Sequence, residues 1–255
     1  MEESTATLKR SPAKYALALA LCFTLGDARP LRADPPAGSA AAAALLQQIL
    51  HDNDGFVHAH AARFFDKYRD DQHPRATVVA CADSRFQSRD IEADPEGDLF
   101  EIRNIGNQID STPGSVEFGI RHLHTPLLLI IGHVACGAVK AALGTYEGES
   151  VEVRRELDGL HNSLHGLPEG SFETRWPAGV RMNVYTQVDD AMREYAAEVK
   201  SGTLTVVGAI YDFRDELGRG RGRLHIISVN GERDPKKIAE HPMLRTASPA
   251  KPDLR

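Results

Sequence analysis

The stretch ATVVACADSR at residues 76–85 joins a short β-branched run to a cysteine, an acid and a base. Its first part predicts a buried strand, with Cys81 standing at the end of that strand. A second apolar run, LLLII at residues 127–131, is typical of a strand covered on both faces, and His133 follows it closely. Each of these two strands therefore leads directly into residues that can bind a metal.

Further strands and helices alternate along the chain around these two runs. Strands are predicted at residues 99–103, 203–210 and 223–229, and helices at residues 113–124, 136–143, 151–164 and 183–200. This alternation predicts an α/β fold with a mostly parallel central β-sheet flanked by helices. The glycine-rich connection at residues 218–222 is short, so the last strand is expected to be an antiparallel edge strand.

The N-terminal region has the pattern of a targeting signal. Lys9, Arg10 and Lys14 precede an almost wholly apolar segment at residues 15–26, which predicts a signal peptide over residues 1–28. The apolar segment is too short for a stable membrane span, which needs roughly 20 apolar residues. The protein is therefore expected to be exported, to the periplasm or outside the cell. The alternative is a cytoplasmic protein with a disordered or weakly helical N-terminus.

The rest of the chain divides into a linker, one domain and a tail. Residues 29–39 are rich in Pro, Ala and Gly and predict a linker. The domain is expected at residues 40–230 and begins with two predicted helices, at residues 40–50 and 56–68. Residues 231–255 are charged and contain proline, so a loose C-terminal tail is expected there.

Composition excludes some classes of function. The net charge of −6, without a clustered basic stripe, argues against nucleic acid as the main partner. The three cysteines are too few, and odd in number, for a disulfide framework. Cys22 lies in the predicted signal peptide, which leaves Cys81 and Cys136 for other chemistry.

Two short segments carry the chemistry, namely residues 81–85 (CADSR) and residues 133–136 (HVAC). The carboxyl ends of neighbouring parallel strands meet at one edge of a sheet, so Cys81 can meet His133 and Cys136 there. Two thiolates and one imidazole suit Zn²⁺, and three protein ligands leave the open position that is typical of catalytic zinc. Such zinc lowers the pKa of a bound water to about 7 and provides hydroxide at neutral pH. Ordinary buried thiols are one alternative reading of the two cysteines, and a disulfide between them outside the cytosol is another.

Asp83 and Arg85 share the loop with Cys81. A bidentate pair of guanidinium and carboxylate keeps the acid ionised, and an ionised Asp83 can orient a zinc-bound hydroxide through a hydrogen bond. If Arg85 released it, Asp83 could itself bind the zinc. A purely structural ion pair is the alternative.

CADSR and HVACG together resemble the zinc signature of the β-carbonic anhydrases. The likeness continues in several further blocks and covers about residues 40–229. These blocks are GDLF at 97–100, RNIGN at 103–107, GSVEF at 114–118, NVYTQV at 183–188 and GAIYD at 208–212.

The resemblance implies a carbonate dehydratase, a lyase that reversibly hydrates CO₂ to bicarbonate and a proton. It implies one Zn²⁺ per chain, bound by Cys81, His133 and Cys136, with Asp83 and Arg85 as the catalytic dyad. It also implies a homodimer or a dimer-based homo-oligomer, in which N-terminal helices reach across to the partner.

Two alternatives to this function remain open at the level of sequence. The same zinc loop can serve a hydrolase of a CO₂ analogue, such as carbonyl sulfide or carbon disulfide. A catalytically silent zinc-binding relative is the other alternative, although the presence of both Asp83 and Arg85 counts against it.

Overall fold

A computed structural model describes residues 38–67 and 69–245. The predicted signal peptide, Cys22, most of the predicted linker and the last ten residues of the predicted tail lie outside these described residues. The described residues divide into two units, with the boundary between Ala61 and Ala62. The described part of the first unit is one helix, and the second unit contains the sheet.

The helices and strands alternate as the sequence predicts. The helices are α1 (Ser39–Ala59), α2 (Ala62–Asp66), α3 (Pro113–Glu117), α4 (Gly137–Ala142), α5 (Val151–Ser163), α6 (Phe172–Glu194), α7 (Ala196–Ser201), α8 (Pro235–Ala239) and α9 (Pro242–Arg245). The strands are β1 (Ala76–Cys81), β2 (Leu99–Asn104), β3 (Leu127–His133), β4 (Thr205–Asp212) and β5 (Arg223–Val229). The described residues also form a 3₁₀ turn at Ser88–Asp90 and a π-helical turn at Phe118–His122, which continues α3.

The five strands form one sheet in the order β2-β1-β3-β4-β5. The first four are parallel, and β5 pairs antiparallel with β4, which confirms the predicted fold class and its antiparallel edge strand. Cys81 and His133 are the last residues of the adjacent strands β1 and β3. The topology therefore brings both to the same edge of the sheet.

Helix α6 packs closely against the strands that lead into this edge. A Cβ atom on Gly132 would lie 2.6 Å from the side chain of Val184, and one on Gly208 would lie 2.8 Å from that of Val188. Both valines are fully buried on α6. Glycine at these two strand positions is what allows the helix to approach, and this approach fixes α6 beside the residue that precedes His133.

The N-terminal helical region differs from its prediction. Helix α1 runs without a break through the polar residues 51–55, where two separate helices were expected. An intrahelical hydrogen bond from Gln48 Nε2 to Asp52 Oδ1 at 2.8 Å spans the start of this polar stretch. The polar stretch contains no proline that would end the helix. Helix α2 is only five residues long.

Helix α6 begins at Phe172, well before the predicted start at residue 183. Pro177 lies inside the helix. Because proline normally interrupts a helix interior, the helix propensity of the sequence did not predict the first turns of α6. At the other end, Gly202 adopts a left-handed conformation with φ of 77° and stops α7. This confirms the predicted stop at Gly202.

Residues 231–245 are folded, whereas the sequence predicted a loose tail from residue 231. Helix α8 is capped by Asp234, whose carboxylate accepts hydrogen bonds from the backbone N–H groups of Lys236 and Lys237. Ile238 is buried in a cluster with Val207 and Val229. Ile238 is a single large apolar residue in the charged segment that forms α8. The sequence therefore showed too little hydrophobic periodicity to predict this helix. Among all the described residues, no helix has the length and apolar character needed to cross a membrane.

Candidate metal centre

Cys81, His133 and Cys136 come together at the carboxyl edge of the sheet. Their two sulfur atoms and one ring nitrogen all lie within 4.8 Å of one another, and the three residues are buried. Cys81 ends β1, His133 ends β3, and Cys136 is the N-cap residue of α4. The structure therefore brings together the three residues that the sequence singled out as metal ligands.

The ring of His133 is oriented as a metal ligand requires. Its Nδ1 lies 3.0 Å from the carbonyl oxygen of Val134, so the tautomer with hydrogen on Nδ1 donates to that carbonyl. The lone pair is then on Nε2, which is buried and has no hydrogen-bond partner among residues 38–67 and 69–245. A buried imidazole nitrogen with a free lone pair, facing two sulfur atoms, fits Zn²⁺ in chemistry and in number of ligands.

The two thiols influence each other's ionisation. A hydrogen bond from Cys136 lowers the pKa of Cys81, with a further contribution from His133, although burial opposes the shift. The pKa of Cys136 is raised, because its thiol donates to Cys81 and because burial disfavours a second thiolate. A divalent cation between them removes this conflict, since a coordinating thiol loses its proton. The pair is therefore suited to a cation.

Asp83 and Arg85 form a bidentate ion pair beside the three ligands. Arg85 donates from Nε to Oδ1 at 2.9 Å and from Nη2 to Oδ2 at 2.7 Å, and its backbone N–H also donates to Oδ1 at 2.9 Å. The Arg85 hydrogen bond is the main reason that the pKa of Asp83 falls to about 2. Oδ2 of Asp83 lies 3.6 Å from Nε2 of His133. The ionised carboxylate thus lies next to the place where a metal would bind.

The loop that carries His133 and Cys136 is strained and held by hydrogen bonds. Ala135 has a positive φ of 51°, which is unfavourable for a residue with a Cβ. Its carbonyl accepts a hydrogen bond from Arg85 Nη2 at 3.1 Å, and the N–H of Val134 donates to the carbonyl of Tyr211 at 3.1 Å. Such contacts keep the loop in a conformation that it would not adopt alone.

Arg103 holds the other metal-site loop, residues 81–86, in the same way. Its guanidinium donates to the carbonyl oxygens of Cys81, Asp83 and Phe86 at 2.8–2.9 Å. The sequence placed Arg103 only within a block of family resemblance. The register of β2 against β1, which pairs Arg103 with Ala80, explains how the side chain reaches this loop.

Phe213 is a site residue that sequence reasoning missed. The guanidinium carbon of Arg85 lies 4.7 Å from the centre of the Phe213 ring, and the His133 ring lies 6.1 Å from it. Phe213 directly follows β4, whose last residues lie beside His133 in the sheet. Strand β4, like β1 and β3, ends at this edge of the sheet. The position of Phe213 directly after it could have indicated a residue of the site.

Comparison with known proteins agrees with this geometry. Residues 76–219, more than half of the chain, match a family model described as carbonic anhydrase. The chain belongs to the β-carbonic anhydrase family. The matched region includes both metal-site loops, the Asp83–Arg85 pair and Phe213.

Relatives of this β-carbonic anhydrase include two bacterial enzymes. Carbonic anhydrase 2 of Mycobacterium tuberculosis is 35% identical over 176 residues, which cover 63% of this chain and 80% of that protein. A carbonic anhydrase of Pseudomonas aeruginosa is 30% identical over 218 residues, covering 75% of this chain and 93% of that protein. A crystal structure of tetrameric β-carbonic anhydrases from Sordaria macrospora matches with a TM-score of 0.61 and 25% identity, covering 72% of this chain and 97% of that one.

These matches confirm the family resemblance, the fold and the enzyme class that the sequence predicted. The β-carbonic anhydrase described here is a carbonate dehydratase whose metal is zinc, and the buried cluster of Cys81, His133 and Cys136 is compatible with that metal. A hydrolase of a CO₂ analogue and a silent relative are not favoured by these matches.

Proposed function

We propose that Cys81, His133 and Cys136 bind one zinc ion per chain, and that Asp83 and Arg85 act beside it. The reaction is the reversible hydration of CO₂ to bicarbonate and a proton. One observation carries the proposal: three ligand atoms lie within 4.8 Å of one another, and the ionised Asp83 carboxylate is 3.6 Å from one of them. Zinc bound there supplies a Lewis acid that makes a water molecule acidic enough to react at neutral pH.

Asp83 is the hydrogen-bond acceptor that orients the attacking water oxygen. Each carboxylate oxygen has two acceptor positions, so Oδ2 can accept a hydrogen bond in addition to the one from Arg85. The low pKa of Asp83, set mainly by its hydrogen bond from Arg85, keeps the carboxylate ionised at neutral pH. The acceptor is therefore present throughout the pH range in which the enzyme would work.

Arg85 fixes the direction of this acceptor. Its planar guanidinium holds both oxygens of Asp83 and leaves the carboxylate little freedom to rotate. The same pairing opposes movement of Asp83 onto the metal, where the carboxylate would close the fourth coordination position. Phe213 supports this arrangement through its contact with the Arg85 guanidinium.

Stopped-flow CO₂ hydration by the purified full-length chain, with zinc measured on the same sample, tests this function. About one zinc per chain with fast, zinc-dependent hydration is the expected result. Cys136→Ser is expected to lose the metal, and full zinc occupancy in that variant would exclude Cys136 as a ligand. Full zinc without hydration from neutral to alkaline pH, together with sulfide release from carbonyl sulfide, would favour the analogue hydrolase.

We also propose that residues 1–28 direct export of the enzyme and are then removed. Lys9, Arg10 and Lys14 before the apolar residues 15–26 support this proposal. N-terminal sequencing of the protein recovered from the extracytoplasmic fraction of expressing bacterial cells tests it. An intact N-terminus on a protein confined to the cytoplasm would contradict it.

We further propose that the enzyme is a dimer or an assembly of dimers. An exposed apolar stripe on α1, formed by Leu45, Leu46, Ile49 and Leu50, supports this proposal, since each side chain is more than half exposed. Apolar stripes of this kind usually mark a protein contact. The related structures from Sordaria macrospora are described as tetrameric.

A further inference from the structure

Trp176 donates a hydrogen bond from its indole N–H to the carbonyl oxygen of Cys136, at 2.8 Å. Trp176 lies in the first turns of α6, and its ring is half-buried against the core. An indole has one donor and no acceptor, so this N–H makes the only hydrogen bond that the side chain can make. That bond is made to the backbone of a residue in the metal centre.

Hydrogen bonds to the Cys136 carbonyl oxygen affect the conformation of the loop that carries His133 and Cys136. This oxygen also accepts the first backbone hydrogen bond of α4, from Lys140 N–H at 3.1 Å. Helix α4 has only six residues, and the residue before Cys136 is the strained Ala135. A short helix and a strained neighbour constrain the backbone of Cys136 weakly by themselves. A second donor on this carbonyl therefore limits movement of the Cys136 backbone, from which the sulfur projects.

The indole is itself held in place by its neighbours. The ring of Phe172 lies 5.6 Å from that of Trp176, and the ammonium group of Lys140 lies 5.4 Å from the Trp176 ring centre. Lys140 belongs to α4 and Phe172 to α6, so these contacts join the two helices around the indole. These contacts therefore restrain the orientation of the donor relative to the Cys136 carbonyl.

We propose that Trp176 is a positioning residue for the metal-binding thiolate of Cys136, an inference that rests on the proposed assignment of Cys136 as a zinc ligand. The hydrogen bond to the Cys136 carbonyl keeps the sulfur aimed at the metal and so slows release of zinc. Partners that orient metal ligands in this way typically change metal affinity by about 10-fold to 100-fold when they are removed.

The chain offers an atomic test, because Trp176 is its only tryptophan. Biosynthetic replacement of tryptophan by β-(3-benzothienyl)alanine changes this one residue, retains the ring shape and substitutes sulfur for the N–H. Zinc release from the full-length protein to a chromophoric chelator is then measured beside the unfolding midpoint of the zinc-free protein. We expect release to be faster by about 10-fold or more, with an unchanged midpoint of the zinc-free protein.

Two variants complete the test. Phe118→Leu removes an aromatic ring that stacks on His122 and leaves the indole and its neighbours unchanged, so it is expected to release zinc at the normal rate. Trp176→Phe removes the donor by ordinary mutagenesis and is expected to behave like the isostere. Normal zinc release from the isostere would overturn the proposal. So would a fall in the midpoint of the zinc-free protein large enough to account for faster release.

Failure of the ligand assignment is recognised separately. Cys136→Ser tests that assignment without any change at Trp176, through the zinc content of the purified protein. A normal release rate in the isostere, together with loss of zinc from Cys136→Ser, would overturn the role of Trp176 and leave Cys136 as a ligand.

Discussion

The guanidinium of Arg85 binds the carboxylate of Asp83 through two parallel hydrogen bonds, from Nε to Oδ1 at 2.9 Å and from Nη2 to Oδ2 at 2.7 Å. The same Nη2 donates to the carbonyl of Ala135 at 3.1 Å. One side chain therefore joins the carboxylate beside the metal to the loop that carries two of the proposed ligands.

Asp83→Asn is expected to retain about one zinc per chain and to lose about 100-fold or more in kcat/KM for CO₂ hydration. The amide is nearly the same shape as the carboxylate, but its uncharged oxygen is a weaker acceptor for the hydrogen bond of the attacking oxygen. Stopped-flow hydration and zinc analysis on one sample measure both quantities. Asp94→Asn, at an exposed acid outside both metal-site loops, is the control. Nearly normal turnover of Asp83→Asn would refute the role of this carboxylate.

Arg85→Lys is expected to lower kcat/KM even though it preserves the charge. An ammonium group is a point charge and cannot make the two parallel hydrogen bonds that fix Asp83. The effect of Arg85→Lys should therefore depend on Asp83, with a coupling of about 0.5–3 kcal/mol in a double-mutant cycle with Asp83→Asn. Simply additive losses in kcat/KM would show that Arg85 acts independently of Asp83.

Phe213→Leu is expected to reduce kcat/KM by about 2-fold to 5-fold, because a cation–π contact at a partly exposed site contributes about 0.5–1 kcal/mol. The loss follows from greater freedom of the Arg85 guanidinium, which lies 4.7 Å from the ring centre. Phe118→Leu removes an aromatic ring that is 41% exposed and stacks on His122, so it serves as a matched control. Equal losses in the two variants would argue against a specific role for Phe213.

Asp212→Asn is expected to destabilise the zinc-free protein by about 1–3 kcal/mol at neutral pH. Burial alone would raise the pKa of Asp212, but the backbone N–H groups of Leu217, Glu216 and Arg214 donate to the carboxylate and lower it overall. A folded-state pKa below the unfolded value of about 3.9 stabilises the protein above that value, and this contribution is lost as pH falls through the folded pKa.

The difference in unfolding free energy between wild type and Asp212→Asn should therefore shrink as the solution is acidified below about pH 4. Denaturant unfolding at neutral and acid pH measures this difference, with Asp94→Asn as the reference substitution. A difference that stays constant with pH would contradict the proposed stabilisation of the Asp212 carboxylate.

The double variant Leu46→Glu, Ile49→Glu is expected to form a smaller assembly than the wild type. Both side chains are more than half exposed on α1, and charges placed there disfavour an apolar contact with a second copy. Light scattering after size-exclusion chromatography gives the mass. Met243→Glu, at an exposed position on α9, is the control for the added charge. An unchanged mass of the double variant would argue against α1 as the contact.

The general location of the metal centre followed from sequence because the evidence for it was local. Cys81 and His133 stand at the ends of two buried strands, and parallel strands that are neighbours deliver such residues to one edge. Asp83 and Arg85 lie within four residues of Cys81, so their pairing needed only the conformation of one loop.

Trp176 and Phe213 could not be found in this way, because their contacts depend on tertiary packing. Trp176 lies 40 residues from Cys136, in a part of α6 that Pro177 concealed from helix prediction. Its position is set by how closely α6 packs on the sheet at Gly132 and Gly208. No local sequence pattern predicts how closely α6 packs on the sheet.

The bond from Trp176 to Cys136 also gives the enzyme a built-in optical reporter. The sequence contains one tryptophan, so all tryptophan fluorescence of the full chain originates beside the metal-site loop. Arrival or departure of the metal is therefore expected to change the emission of the unlabelled protein. Because the indole N–H bonds to the backbone carbonyl of Cys136, such a change would report the conformation of the loop.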